Sequence, residues 1–209
     1  WAALSRDSFD CWRMITPTHV VINVGLAKRF KARPMFADRF TRRLFILGGL
    51  APDLGLYATT LGATAYLVIG RGWGVRQSLQ VIFDDYFYSE PVFVVAHNML
   101  HAPLVIFSLL ALSLVAIRRG RPHIGNRLMA FALGCAVHTA VDIPVHHDDG
   151  PLLLFPIDWS LRFSSPVSYY NPDYYGSILA PIDAAITVVG GTLIIGAWVR
   201  QRRHIASCD

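Results

Sequence analysis

The chain has 209 residues, 54% of them hydrophobic and 16% charged, and a mean hydropathy of +0.42. A soluble domain carries about a quarter charged residues, so this composition, with its apolar residues in long runs, argues for a membrane protein. The net charge of +5 does not mark a nucleic-acid partner, because the basic residues flank apolar segments with no RNA- or DNA-binding pattern. Cys11, Cys135 and Cys208, odd in number and far apart, predict neither a disulfide framework nor a metal knuckle.

Residues 1 to 13, WAALSRDSFDCWR, lack the basic n-region and apolar h-region of a signal peptide and read as a lead-in, with Met14 resembling a natural start. Thr16 and Pro17 suit the N-cap and N1 positions of a helix running to about Phe30, with His19 in its first turn. That helix is short for a full span and is expected to lie in the interface or pack inside a bundle. A basic segment follows, from Lys28 through Lys31 and Arg33 to Arg43, opposed only by Asp38. Leu44 to Ile69 reads as the first span, interrupted at Gly48, Gly49 and Ala51-Pro52-Asp53. Residues 70 to 90, with Asp84, Asp85, Tyr86, Tyr88 and Glu90, read as a loop. Pro91 opens the second span, which runs to Ile117 and carries His97, His101 and a kink candidate at Pro103.

The basic loop Arg118 to Arg127 leads to a third span from Leu128 to about Val145. The connection from 146 to 177 is acidic and aromatic, and its LLLFPIDW stretch suits the headgroup region. Ser177 is expected to cap a last span, Ile178 to Val199, before the basic tail RQRRH. The predicted fold is all-α: a polytopic membrane helix bundle of four spans plus a short N-terminal helix. One embedded domain covers 14 to 200, between the extension 1 to 13 and the tail 201 to 209.

Segments 28 to 43, 118 to 127 and 200 to 209 are basic, whereas 70 to 90 and 146 to 177 carry an acidic excess. The signs alternate at every crossing. The positive-inside rule therefore places the basic loops and the C-terminus in the cytoplasm, with a bacterial inner membrane as the expected location.

With that orientation His97 lies about 9 Å and His101 about 15 Å along the second span from its outer end. His138 and Asp142, four apart in LGCAVHTAVDIPVHHDDGPLLLFP, share a helix face near the outer end of the third span. Ionisable groups in apolar runs are costly and usually functional, and imidazole mixed with carboxylate suits zinc. The candidate ligands are His19, Asp53, His97, His101, His138, Asp142 and His146, for one or two ions. Asp148, Asp149 and His147 are candidates to take a proton. Each also has a plainer role. His19 suits a helix terminus, Asp53 an N-cap, and His97 with His101 suit haem ligation or interhelical hydrogen bonding. Asp183 is as suited to orienting a histidine as to touching metal, while His123 and His204 lie in basic segments and are expected to be solvated.

The order Thr16 to His19, Pro52-Asp53, His97 and His101, then His138 to Asp142 and Gly150 to Pro156 resembles the membrane-bound metal-dependent hydrolase family typified by the inner-membrane protein YdjM. The resemblance covers about residues 14 to 165. Members often carry a second acid shortly after Pro-Asp, where this chain has Gly55, and an arginine after the first histidine of the pair, where it has Asn98. A more distant likeness is to zinc-dependent phospholipase C, in which the mature N-terminal Trp is itself a ligand; Trp1 is the same residue type but is not among the candidate ligands. The later His-x-x-x-Glu of that enzyme has no counterpart after His147.

These features imply a membrane-embedded, zinc-dependent hydrolase acting on a lipid or lipid-linked ester or phosphoester. One alternative is a non-catalytic membrane subunit whose 146 to 177 connection docks a membrane protein partner. The other is a haem-binding electron carrier using His97 or His101 with His138.

Overall fold

The structure is a computed structural model that describes residues 16 to 206, with side chains described through Arg203. The lead-in 1 to 13, with Trp1 and Cys11, lies outside the described residues, as do the side chain of His204 and Cys208. The described chain is all-α, with eight helices: α1 (Thr16–Arg29), α2 (Arg39–Gly48), α3 (Ala51–Ala65), α4 (Val75–Val81), α5 (Pro91–Asn98), α6 (Pro103–Arg118), α7 (Pro122–Asp142) and α8 (Gly176–Ala206). Ser177 lies within the first turn of α8 rather than capping it, and the Asn171 side chain caps the short turn before it.

Two helical segments, Pro122–Val145 and Gly176–Arg203, are each long and apolar enough to cross a membrane. Two further candidates are bent pairs: α2 with Ala51–Gly70 at 52°, and α5 with α6 at 49°. Both breaks fall just before a proline, Pro52 and Pro103, whose missing N–H and ring cannot continue the helix behind it. The second break therefore spans residues 99 to 102 and precedes Pro103. Unwound backbone inside a membrane protein survives where protein buries it or where it lines a cavity. Here it does both.

Residues 70 to 90 correct the expectation of a loop. After Gly74, α4 runs through a five-residue π-type turn, Ile82–Tyr86, into the helical turn Phe87–Ser89. Ile82 and Phe87 are five apart and would diverge on a regular α-helix, but the wider turn brings both into one core with Leu56, Leu67 and Phe93. Of the polar residues that suggested a loop, Asp85 and Glu90 are exposed, Tyr86 packs on that core, and Asp84 and Tyr88 face a cavity.

The α2–α7 crossing is backbone on backbone. A Cβ on Gly48 would stand 2.8 Å from the Gly134 Cα and the Cys135 nitrogen. Asn23, fully buried on α1, pins that crossing by donating to the carbonyls of Phe45 (3.0 Å) and Gly134 (3.2 Å). By contrast α8 touches the bundle mainly along α1, with Thr18 and Thr187 hydroxyls 2.5 Å apart, and leaves Ile182, Val189, Leu193 and Trp198 exposed. In the connection after α7, Leu152 and Phe155 are buried against Val94 and Ala102, whereas Ile157 and Trp159 stay exposed.

Candidate metal centre

Three helices and one break converge on the polar centre. α1 supplies His19, the first turn of α3 supplies Asp53, the unwound turn after α5 supplies His101, and the end of α7 supplies His138 and Asp142. Asp53, His101, His138 and Asp142 form a group whose donor atoms all lie within 4.8 Å of one another, an arrangement able to hold a metal ion. His138 Nε2 is 3.1 Å from Asp142 Oδ2 and 3.5 Å from Asp53 Oδ1. His101 Nε2 is 3.3 Å and 3.4 Å from the same two oxygens. His19 joins through its Nε2, 2.9 Å from Asp142 Oδ1, and its ring stacks on that of His138. His19, His101, His138 and Asp142 are all buried.

The helix breaks orient the imidazoles. His138 Nδ1 lies 2.9 Å from the Gly49 carbonyl, which the α2–α3 break leaves free, and His101 Nδ1 lies 2.6 Å from the His97 carbonyl. A carbonyl only accepts, so each Nδ1 carries a proton, and in its neutral form each ring would turn an Nε2 lone pair inward. Those two Nε2 atoms are 2.8 Å apart. Two lone pairs at that separation repel, and a cation shared with the Asp53 and Asp142 carboxylates removes the conflict. Around this set, Thr16 Oγ1 donates to Asp53 Oδ2, and Thr139 donates to the His101 carbonyl at 2.9 Å.

The group opens into a cavity of about 300 Å³. Leu56, Phe83 and Phe87 form apolar wall, while Asp84, Tyr88, His97, His146, Asp148 and Asp149 add polar groups. Both acidic connections thus contribute to one chamber. His97 lines it with both ring nitrogens buried and without hydrogen-bond partners, but it stands outside the four-residue donor group. His146 approaches Asp142 Oδ1 at 3.7 Å and Asp149 at 3.0 Å. His147 turns away: it bonds to the Ser165 carbonyl (2.5 Å) and stacks on Tyr174, and the structure does not bring it to the cavity wall. Burial, followed by the negative fields of Asp148 and Asp149, raises the Tyr88 hydroxyl pKa above its ordinary value, so that group stays a neutral donor in the chamber.

Thr16 enters the sequence reading as a helix cap and as the start of the Thr16 to His19 element, and the Pro52 break as a source of a free carbonyl beside Asp53; Thr139 and the His97 carbonyl carry no such signal. Asp183 on α8 keeps one buried carboxylate oxygen without a hydrogen-bond partner, and its backbone carbonyl receives the Thr18 hydroxyl at 3.4 Å. Gly55 and Asn98 have packing roles of their own. A Cβ on Gly55 would meet the Ala96 carbonyl at 2.5 Å, so α3 packs too closely on α5 for an acid there. Asn98 is buried, accepting the Leu152 N–H at 2.6 Å and donating to the Val94 carbonyl at 2.7 Å, a bracing role between α5 and the later connection.

No family model matches the chain, and neither a curated protein nor a solved structure is similar to it at a significant level.

Proposed function

We propose that this chain is a membrane-embedded metal-dependent hydrolase whose ion, zinc by the mixture of donors, is held by Asp53, His101, His138 and Asp142. The observation that carries the reading is the pair of Nε2 atoms facing each other at 2.8 Å between two carboxylates, with both Nδ1 atoms committed to carbonyls. A divalent ion there supplies Lewis acidity and lowers the pKa of water. The protein's residues do the rest. The Gly49 and His97 carbonyls hold the imidazoles by their Nδ1 atoms, Thr139 braces the His101 backbone, and Thr16 fixes Asp53. Asp148 and Asp149, in the same cavity, are placed to receive a proton.

The substrate class follows from position. The cavity is walled by the two acidic connections, which the charge alternation assigns to the outer face, and by apolar Leu56, Phe83 and Phe87. A lipid or lipid-linked ester or phosphoester in the outer leaflet reaches it without leaving the bilayer. The haem reading gains nothing from the geometry, since Asp53 and Asp142 stand within 3.5 Å of the same ring nitrogens that a porphyrin iron would need.

The test is elemental analysis of detergent-purified full-length protein, coupled to hydrolysis of short-chain phospholipids and p-nitrophenyl esters. Stoichiometric zinc or another divalent metal, with turnover lost in Asp142→Ala together with the metal, supports the reading. A metal-free protein that neither gains metal on titration nor hydrolyses any of these substrates overturns it.

A further inference from the structure

We infer that the groove between α1, α2 and α7 holds one acyl tail of an anionic phospholipid, with the lipid phosphate seated on the basic turn Lys28 to Arg33. This site shares no residue with the metal centre. The groove measures about 320 Å³, and all eight side chains lining it are apolar, among them Leu26, Phe30, Leu133 and Val137. Phe36 and Phe45, both buried and packed edge to face with ring centroids 5.2 Å apart, form its floor. A site for a soluble ligand carries at least a few polar groups that fix orientation. This one has none, so the ligand that fits it is a hydrocarbon chain.

The groove has a direction. α1 and α7 run antiparallel, since His19 meets Asp142, Asn23 meets Gly134, and Ala27 shares a core with Ala130. Phe30 therefore marks one end and Ala140 the other, and Leu133 to Ala140 alone covers about 10 Å of α7. At the Phe30 end the chain turns sharply: the Arg33 N–H donates to the Phe30 carbonyl and the Phe36 N–H to that of Arg33, each at 2.9 Å. Lys28 and Arg29 lie just before this turn, and Lys31 and Arg33 lie on it, between two residues that line the groove. All four are exposed. Arg42 donates to the carbonyls of Phe36 (2.5 Å) and Ala37 (2.8 Å) and holds the turn against α2.

Charge selects the kind of lipid. Residues 28 to 43 carry seven basic side chains and one acid. That acid, Asp38, is committed to the cap of α2, where it accepts from Phe40 and Thr41. Within this segment the positive charge at the mouth of the groove is therefore unopposed. Fixed positive charge beside a hydrocarbon slot matches a phosphate joined to an acyl tail, and basic pockets between membrane helices on the cytoplasmic side take anionic headgroups in this way. The charge alternation assigns the Phe30 end to that side. A second copy of the chain meeting this face across a two-fold axis would set one basic turn against another, which repels.

The experiment titrates the full-length chain in detergent with phosphatidylglycerol and with phosphatidylcholine of identical acyl chains, read by native mass spectrometry and thermal unfolding. The expected results are one retained phosphatidylglycerol per chain, bound about tenfold or more tighter than phosphatidylcholine, and a melting temperature raised by phosphatidylglycerol. Lys31→Gln combined with Arg33→Gln should remove most of that preference. Ala136→Phe, which fills the groove from α7, should abolish retention of either lipid with unchanged helical circular dichroism. If Ala136→Phe unfolds, Ala140→Phe takes its place, at an exposed position that also lines the groove. Equal retention of the two lipids by the wild type, a preference that survives the double charge variant, or retention indifferent to the filled groove overturns the inference. A dimer formed through this face in place of a retained lipid overturns it as well. A chain that retains phosphatidylglycerol but takes no metal keeps the lipid site and removes the hydrolase reading.

Discussion

His101 and His138 present their Nε2 atoms to each other at 2.8 Å while backbone carbonyls hold both Nδ1 atoms. Without an ion, an imidazolium among the two carboxylates must take its place. With an ion, the two facing Nε2 atoms and the two carboxylates share one ligand. Ligand binding to the native state alone adds RT ln(1 + [L]/Kd), about 2.7 kcal/mol at a hundredfold excess over Kd. Chelation should therefore lower the melting temperature of the detergent-solubilised protein by several degrees, and stoichiometric zinc should restore it. A melting curve indifferent to chelator and zinc would count against a metal at this position.

Thr16 acts on the centre through Asp53. Its hydroxyl donates to Asp53 Oδ2 and stands 2.6 Å from the Tyr57 hydroxyl, so it orients the carboxylate without touching the other donors. Partners of this kind are worth about 10- to 100-fold in metal affinity. Thr16→Ala should weaken zinc binding by about tenfold or more, and Thr16→Ser, which keeps the donor, should stay close to wild type. Competition against a chromogenic chelator measures both. Equal affinity for the alanine and serine variants would show that the hydroxyl contributes nothing.

The α2–α7 crossing sets the distance between Gly49, whose carbonyl holds His138, and the histidine itself. Gly48 and Gly134 meet with no room for a side chain, so Gly48→Ala forces backbone apart and should destabilise by about 1–3 kcal/mol, as overpacking does. Metal affinity should fall with it. Gly25→Ala is the comparison: nothing lies within 4 Å of a Cβ there, and alanine favours a helix by about 0.5–1 kcal/mol. Thermal unfolding of the two variants in one detergent should show opposite shifts.

The helix order and the ligand candidates were legible because both are written in local pattern. Apolar runs give spans, His138 and Asp142 sit four apart, and Pro52 and Pro103 announce breaks. What those breaks are for was not legible. The Gly49 carbonyl gains its meaning only from His138, which is 89 residues away in the chain. His147, a candidate to take a proton, is adjacent to His146, yet adjacent residues leaving a helix point in different directions, and His147 faces Ser165 and Tyr174. The helix Val75–Ser89 was missed because its π-type turn shifts the apolar spacing from four to five, which no regular period detects.

Asp38 provides a pH test away from the metal. It caps α2, accepting the backbone N–H groups of Thr41 (2.9 Å) and Phe40 (3.2 Å) and the Thr41 hydroxyl (2.8 Å). The Thr41 N–H, then the Thr41 hydroxyl and the Phe40 N–H, hold its carboxyl below the ordinary aspartate pKa, with Arg127 adding to the effect. A folded-state pKa below the unfolded one contributes stability that is complete above the unfolded value of about 3.9 and is lost as pH falls through the folded value. Asp38→Asn keeps an oxygen acceptor but removes the charge that the N-terminus of α2 favours. Wild type should therefore melt above Asp38→Asn by a constant margin from pH 7 to pH 5, and the margin should close below about pH 4. A margin that persists unchanged into the acid range would mean that the cap works through shape and hydrogen bonding alone, with no contribution from the carboxylate's charge.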